Sequence, residues 1–336
     1  MQPSVHDVRR RLGVLLPAAA LAGADDGPGL ERTAGPPVDP PRVRAAAPVE
    51  GHAVRARPVP PAPGAEDGFA AFLDGTQHSR VIGYVDGLPV VHGTVAAVVR
   101  VRRNRRLTTW GRGPVVERRV YAPLACFAAA PRAALDALAR ELGLDLVDTA
   151  ELRPGDDVVP AHPFAVSDRA LGMVKEDRER AEKSLAERWC RQEHEPLFVD
   201  GGIQESEVVA RAACVAGVVK SHRTLYVDAD ALRTVLALRQ GERSTAFLVG
   251  SARRTAVASW YLRLRDPSGR DPMWGLVRVE AAAPDAGDAP DAFTARVDRL
   301  SRWVLAEAAP LSLPDARWDK LAYGVHDCEQ FLRAVC

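Results

Sequence analysis

Paired cysteines, lysines and long apolar segments are what this 336-residue sequence has least of. Its five cysteines form no Cys-x-x-Cys pair and no spacing typical of a zinc site. An odd, scattered set of cysteines favours a reducing compartment over a disulfide framework, so we expect a cytoplasmic protein. No apolar run approaches the ~20 residues that cross a bilayer, and we therefore expect no membrane partner.

The overall charge and the low lysine content exclude a simple electrostatic argument for function. The formal net charge is only +1, so any surface that attracts nucleic acid has to come from local clustering of cations. Only four lysines accompany a large excess of arginine. A GC-rich coding sequence explains this skew without any functional role.

Residues 1–67 differ in composition from the remainder of the chain. They hold twelve of the 26 prolines and no Phe, Trp or Tyr. Such a segment buries too little apolar surface to offset the entropy of ordering, and we predict a mostly disordered, flexible arm rich in Pro, Ala and Arg. Within it, Val8, Leu12 and Leu15 share one helical face, which predicts a short helix over residues 6–16 that docks on another surface, such as a partner protein.

Residues 68–336 predict one α/β domain, a mixed β-sheet flanked by helices. Strands are predicted at 69–75, 81–85, 90–101, 107–109, 115–124, 197–200, 215–219, 246–249, 258–264 and 276–280. Helices are predicted at 132–142, 168–192, 206–213, 229–239, 293–308 and 316–335. Asp86-Gly87 predicts a hairpin turn between two of the strands.

Two aspartates, Asp74 and Asp200, each follow apolar strand residues and precede a glycine. A carboxylate at a strand end lies at the rim of the sheet, where α/β sites usually form, and the glycine leaves room for a phosphate or a metal ion. Two such carboxylates on adjacent strands can share a divalent ion that activates water for phosphodiester hydrolysis. The alternative is that each Asp-Gly pair is only a common turn.

A lysine is predicted at the same rim, because the apolar strand 215–219 ends at Lys220. A cation in this place can neutralise charge that develops on a phosphate. A lysine whose apolar stem packs on the strand end while its amine reaches water would give the same sequence.

In their order and spacing, these motifs resemble the NurA family, RNase H-like nucleases that process DNA ends. The resemblance covers residues 68–336 and is carried by Phe72-Leu73-Asp74-Gly75, Leu197-Phe198-Val199-Asp200-Gly201, Val218-Val219-Lys220-Ser221-His222 and Tyr323-Gly324-Val325-His326. It implies an RNase H-like mixed sheet and a site that binds Mn²⁺ or Mg²⁺ through an early Asp, a helical Glu, a middle Asp and a late His. It also implies a homodimer that acts on DNA together with a HerA-type hexameric ATPase.

Applied to this sequence, the resemblance makes Asp74 the early Asp, Asp200 the middle Asp and His326 the late His. The helical Glu is Glu182, or Glu179 on the same helix face. From the residues alone, a His on a largely apolar helix is more often a core residue, and a run of glutamates is usually a solvated face. The expected catalytic residues are Asp74, Glu182, Asp200, Lys220 and His326, with Asp74, Asp200 and His326 as the metal ligands.

The densest basic cluster comprises Arg100, Arg102, Arg103, Arg105 and Arg106, and Trp110 follows it. Arginines with an aromatic neighbour suit phosphate contact and base stacking, so we predict a nucleic-acid-binding hairpin tip beside the site. The alternative is an exposed hairpin tip that coding bias has enriched in arginine.

Together these features favour a metal-dependent deoxyribonuclease, an exonuclease or endonuclease that processes ends or single strands in DNA repair or phage defence. One alternative is a catalytically inactive RNase H-like DNA-binding or adaptor subunit. Another is an RNase H-like nuclease that acts on RNA or on a hybrid, because the sequence does not show how a 2′-hydroxyl would be read.

Overall fold

A computed structural model describes residues 3–16, 21–22, 41–151, 162–252, 254–285, 287–308, 318–320 and 322–336. The strands are β1 (Leu21–Ala22), β2 (Arg42–Val43), β3 (Ala47–Pro48), β4 (Ala56–Pro58), β5 (Ala71–Val85), β6 (Leu88–Arg103), β7 (Arg106–Thr109), β8 (Val115–Ala122), β9 (Asp145–Asp148), β10 (Leu197–Asp200), β11 (Val215–Val219), β12 (Thr224–Leu225), β13 (Glu242–Ser244), β14 (Phe247–Ser251), β15 (Arg254–Arg263) and β16 (Leu276–Ala282). The α-helices are α1 (Val5–Leu15), α2 (Ala129–Leu142), α3 (Pro163–Gln192), α4 (Glu207–Ala210), α5 (Ala229–Leu236), α6 (Pro290–Ala308) and α7 (Tyr323–Val335). Single 3₁₀ turns occur at Leu124–Cys126 and Trp318–Lys320.

One mixed sheet organises these elements, with the strand order β3-β14-β15-β16-β11-β10-β5-β6-β8-β9 along its main path. β5, β6 and β8 form an antiparallel meander. β10 then pairs in parallel with both β5 and β11, and β11 pairs antiparallel with β16. The predicted class, an α/β fold with a mixed sheet flanked by helices, is confirmed.

The two faces of this sheet are covered by different helices. Because side chains alternate along a strand, Phe72 and Phe198 point into a core layer that contains α6 and α7. Their neighbours Leu73 and Val199 point into the opposite layer, which contains α3 and α5. The middle of the sheet is therefore buried on both sides, and a polar site can form only where the strands end or where a helix stops covering them.

β5 departs from the prediction, which placed one strand at 69–75 and a second at 81–85. The structure has a single strand of 15 residues that pairs with β6 along almost its whole length, with one irregularity between Val81 and Gly83. Asp74 therefore lies within a strand and does not end one, because the neighbouring strand β6 continues to supply hydrogen-bond partners. The predicted Asp86-Gly87 turn is confirmed, and both residues have positive φ, 51° and 77°.

Residues 41–67, which were predicted to belong to the flexible arm, pack on the domain. β2 pairs with β12, β3 with β14 and β4 with β13. Glu50 lies 2.7 Å from Arg243, and both side chains are almost fully buried. Val49 and Val59 also pack against one core layer, and Ala46 and Val54 against the other. Backbone pairing, the ion pair and these contacts order the segment, and composition alone did not reveal them.

The predicted N-terminal helix is present as α1, residues Val5–Leu15, with Ser4 and Asp7 forming a capping box. Val8 and Leu12 are fully buried in a cluster that includes residues of β5, β6, β8 and α2. Arg11 also forms an ion pair with Glu141 at the end of α2. The helix thus docks on its own chain, and no partner protein is needed to order it.

The predicted closing helix over 316–335 is divided, because its described part consists of the 3₁₀ turn Trp318–Lys320 and the separate helix α7. Within the part of the chain that the structure describes, no helix combines the length and the apolar character that crossing a bilayer requires.

Candidate active site

Asp74 and Asp200 lie side by side on neighbouring parallel strands. The register pairs Leu197 with Ala71 and Val199 with Leu73, so the next residue of each strand is an aspartate at the same level. β10 ends at Asp200, whereas β5 continues for eleven residues beyond Asp74. The predicted pairing of the two carboxylates is therefore correct, although only Asp200 stands at a strand end.

A third carboxylate reaches this pair from α7. One ligand oxygen from each of Asp74, Asp200 and Glu329 lies within 4.8 Å of the others, a separation that a single cation can bridge. α7 is held against the sheet by a hydrogen bond from the Cys328 thiol to the Phe72 carbonyl oxygen, 3.5 Å, next to Asp74. The cleft over these residues has a volume of about 600 Å³ and is also lined by Lys220.

Glu329 occupies the place that the sequence assigned to His326. His326 lies three residues earlier on α7, roughly 4.5 Å along the helix axis, and is not part of this group of ligand atoms. Its Nδ1 atom is buried and has no hydrogen-bond partner among the described residues. The sequence predicted that the helix approaches the sheet rim, but it did not predict the rotation of the helix about its axis. An acidic residue three positions after the His was the available signal.

Glu182 comes from α3 and lies over Gly75, on the opposite face of β5 from the Asp74 side chain. A Cβ atom built on Gly75 would clash with the Glu182 side chain, so any larger residue would displace the carboxylate from this position. Arg178 fixes the carboxylate through an ion pair with Glu182, and its Nε donates to Oε1 of Gln77 at 3.1 Å. Gly75 thus makes room for a side chain, where the sequence predicted room for a phosphate or a metal ion.

The choice between the two helical glutamates follows from their exposure. The Glu182 side chain is 14% exposed, whereas that of Glu179 is 41% exposed and is contacted by Lys175 at 3.6 Å. Glu182 is therefore the more buried of the two, and its charge adds to the rise in the pKa of Asp74.

The carboxylates of the site repel one another, although Lys175, Arg178, Lys220 and Arg333 line the same cleft. Burial, followed by repulsion from Asp200, raises the pKa of Asp74 well above its ordinary value, and the Lys220 ammonium opposes this rise. Burial also raises the pKa of Glu182 to about 7, although Arg178 lowers it and Asp200 adds repulsion. Clustered carboxylates of this kind are relieved by protons or by a metal cation.

Lys220 contacts the same cluster, as predicted for the rim. Its Nζ atom lies 2.8 Å from Oδ2 of Asp200, and both side chains are less than one-fifth exposed. The amine is thus directed to a carboxylate and not simply to solvent. It orients Asp200 and lies within reach of an anion bound in the cleft.

The residues present suit a hard divalent cation. All three ligand groups supply carboxylate oxygen, the donor that Mg²⁺ and Mn²⁺ prefer, and no sulfur or imidazole ligand belongs to the group. Asp74, Asp200 and Glu329 would hold the ion, with Glu182 beside them.

The arginine-rich hairpin does not lie beside this site. Asp74 is opposite Val98, and the chain runs five residues further along β6 to Arg103, about 17 Å at the rise of a β-strand. The tip, at Asn104 and Arg105, therefore projects beyond the opposite end of β10 from Asp200. The predicted position beside the site is wrong, because β6 runs antiparallel to β5 and carries the hairpin away from the carboxylates.

Most of the hairpin's predicted DNA-binding side chains have partners within the protein. Arg100 donates to Asp327 at 2.7 Å, and Arg102 makes two hydrogen bonds of 2.7 Å to Glu307. Arg103 pairs in the same two-pronged manner with Glu195, at 2.7 and 2.6 Å. Trp110 donates to Glu193 at 3.0 Å and packs on Trp189. Arg105 and Arg106 are exposed at the tip.

No family model and no curated protein matches this sequence. Among solved structures, the chain is similar to the NurA nuclease from Sulfolobus solfataricus, with 12% sequence identity and a TM-score of 0.42. The similarity covers 80% of this chain and 79% of that chain. A likeness this distant assigns no role to any residue, and the chemistry has to be argued from the site.

Proposed function

We propose that this protein is a metal-dependent nuclease that hydrolyses phosphodiester bonds in the cleft at Asp74 and Asp200. The observation that carries the proposal is the convergence of three carboxylates from β5, β10 and α7 on one point, with oxygen atoms within 4.8 Å of one another. A buried aspartate beside two other acids is costly unless a cation binds there. The neighbouring lysine and arginines supply contacts for a polyanionic substrate.

In this proposal a bound divalent ion supplies Lewis-acid activation of the scissile phosphate and of water. Asp74, Asp200 and Glu329 would hold it, and Lys220 would keep the Asp200 carboxylate in place while facing the phosphate. Glu182, which lines the adjoining part of the cleft together with Asp200, would orient the attacking water and accept its proton. Arg178 holds Glu182 in the required position.

Four aspects of the proposal go beyond the site itself. An RNase H-like subtype of the fold, DNA as the substrate, Mn²⁺ or Mg²⁺ as the ion, and a homodimer working with a HerA-type ATPase stay predictions from the family resemblance. The two-pronged pairing of the hairpin arginines favours the cleft, and not the hairpin, as the place where nucleic acid binds.

Cleavage of end-labelled substrates by the purified full-length chain tests the proposal. Single-stranded DNA, duplex DNA, RNA and a hybrid are compared with Mn²⁺, with Mg²⁺ and with a chelator. We expect metal-dependent cleavage of at least one DNA substrate. Cleavage confined to RNA or the hybrid would favour the ribonuclease alternative. Metal binding without cleavage of any substrate would favour the inactive DNA-binding subunit.

A further inference from the structure

The cleft does not end at the carboxylates but continues past Asp200 into a second lobe with a volume of about 470 Å³. This second lobe lies between α3, from Lys175 to Ala186, and residues 201–206. It shares Asp200, Lys175 and Arg178 with the lobe that contains Asp74. A chain-like ligand bound at the carboxylates can therefore pass from one lobe into the other without leaving the cleft.

The floor of the second lobe is a fixed polar network. Glu280 is fully buried and accepts hydrogen bonds from the Ile203 backbone N–H at 2.9 Å and from Nε2 of Gln204 at 2.7 Å. Arg278, which is 7% exposed, also pairs with Glu280 and lies 5.1 Å from the ring centroid of Tyr226. An immobilised guanidinium that lines a pocket is a surface on which an unstacked base can lie.

The walls of the cleft concentrate the rare lysines of this chain. Three of its four lysines line the two lobes: Lys220 and Lys175 beside the carboxylates, and Lys175 and Lys183 in the second lobe. Lys175 and Lys183 are eight residues apart on α3, which separates them by about 12 Å along the helix axis. Although arginine is far more common in this chain, the part of α3 that lines the cleft carries two lysines, whose flexible side chains place positive charge along it.

The charges of the second lobe attract a polyanion only in combination with the metal centre. Its five cationic side chains are balanced by five acidic ones. The acids are engaged, for example Glu205 with Arg254 at 2.8 Å and Glu179 with Lys175 at 3.6 Å. A divalent ion at the neighbouring carboxylates would make the combined cleft positive, so substrate and ion are expected to bind together.

Building on the proposed function, we propose that the second lobe is a subsite for one unstacked nucleotide next to the scissile phosphate, and that it restricts cleavage to single strands. Its volume falls in the range of pockets that enclose a small molecule, ~300–1,000 Å³. The bases of a duplex are stacked inside the helix and cannot enter a recess whose floor is buried. In a single strand, a base can turn out of the stack at low cost.

Lys183→Ala tests this subsite, with Arg191→Ala as the matched control. Both residues are exposed cations on α3 that interact with Glu187, but only Lys183 lines the second lobe. We expect Lys183→Ala to lower kcat/KM for a single-stranded oligonucleotide about three- to tenfold, as the loss of one charged contact does. The slope of log(kcat/KM) against log[salt] should become shallower by about 0.7, while Arg191→Ala leaves both quantities unchanged.

Hydrolysis of bis(p-nitrophenyl) phosphate separates failure of the subsite from failure of the proposed function. This small diester needs only the carboxylate site, so its cleavage by the wild-type protein reports the chemistry alone. Absence of cleavage of both substrates would reject the nuclease. Cleavage of both, with equal oligonucleotide kinetics for Lys183→Ala and Arg191→Ala, would reject the subsite, as would equal rates on a blunt duplex and a single strand of the same sequence.

Discussion

The acidic cleft and the arginine-rich hairpin are both clusters of like charge, but they differ in what lies opposite that charge. In the hairpin, Arg102 and Arg103 each meet a carboxylate through two short hydrogen bonds. In the cleft, Asp74, Asp200 and Glu329 converge on one another, although Lys220 contacts Asp200 and Arg333 lies 3.9 Å from Glu329. The hairpin charge is thus compensated within the fold, whereas repulsion among the cleft carboxylates, which raises the pKa of Asp74, is left uncompensated and can be relieved by a bound cation.

The largest effect is expected when a carboxylate of the cleft loses its charge. Asp200→Asn preserves the size of the side chain but removes a ligand for the cation. Loss of a group that merely supports a metal ligand costs 10–100-fold, so loss of the ligand itself should lower the cleavage rate by more than about 100-fold. The rate is measured on an end-labelled single strand with Mn²⁺.

Asp86→Asn is the matched control, because Asp86 is another Asp before a glycine but lies in a hairpin turn with φ of 51°. It should cleave at the wild-type rate, since Asn tolerates this conformation as well as Asp does. Wild-type cleavage by Asp200→Asn would show that the cleft is not the site.

The next prediction compares two neighbours on α7. Glu329→Gln should reduce cleavage as strongly as Asp200→Asn and should weaken Mn²⁺ binding measured by calorimetry, because it removes one of three converging carboxylates. His326→Gln should affect both quantities less, since the imidazole does not belong to that group. If His326→Gln lost more cleavage and more Mn²⁺ binding than Glu329→Gln, the histidine would be the metal ligand, as the sequence predicted.

The contrast between Glu329 and His326 shows how much of the site could be predicted from the sequence. Apolar runs that end in Asp200 and Lys220 predicted both strands with correct bounds and placed both residues at the rim. The position of Glu329 depends on the rotation of α7, which is set by packing on Phe72 and is not encoded in local periodicity. The role of Gly75 likewise depends on a helix that is about one hundred residues distant in sequence.

The predictions for the hairpin and for residues 41–67 were wrong for a related reason. A run of arginines looks the same whether it faces solvent or a carboxylate, and the partners Glu195 and Glu307 are far away in the sequence. Residues 41–67 contain no aromatic side chain, yet they pair with β12, β13 and β14. Long-range pairing, and not composition, orders them.

A smaller effect is expected for the pH dependence of stability, measured without divalent ions. The pKa of Glu182 is raised from 4.5 to about 7, so the fold favours its protonated form. This contribution to stability is fully present below pH ~4.5 and is lost as the pH rises through ~7. At pH 8, Glu182→Gln should therefore be more stable than the wild type by on the order of 1–3 kcal/mol, and the difference should vanish near pH 4.5.

Urea unfolding in the presence of a chelator at pH 4.5 and pH 8 measures this difference. Glu176→Gln, on an exposed position of the same helix, is the control for replacing a glutamate on α3. If Glu182→Gln were less stable than the wild type at pH 8, its ion pair with Arg178 would outweigh the repulsion from the other carboxylates. The cleft would then be a compensated region like the hairpin.

The smallest effect on nucleic-acid binding is expected from the hairpin itself. Arg102→Ala removes two hydrogen bonds to Glu307 and the contact of the guanidinium with Phe72, 4.8 Å from its ring centroid. It leaves a carboxylate that is only 7% exposed without its main partner. Because the Arg102 side chain is itself about one-third exposed, solvent limits the loss, and we expect a decrease of about 1–2 kcal/mol in the free energy of unfolding.

The salt slope of DNA binding should stay unchanged, since each phosphate contact that a variant loses makes that slope shallower. The double variant Arg105→Ala/Arg106→Ala, at the exposed tip, provides the comparison, because neither substitution removes an ion pair described for the fold. If either variant binds DNA with a shallower salt slope at unchanged stability, the hairpin contacts nucleic acid. The distinction between compensated and uncompensated charge would then fail.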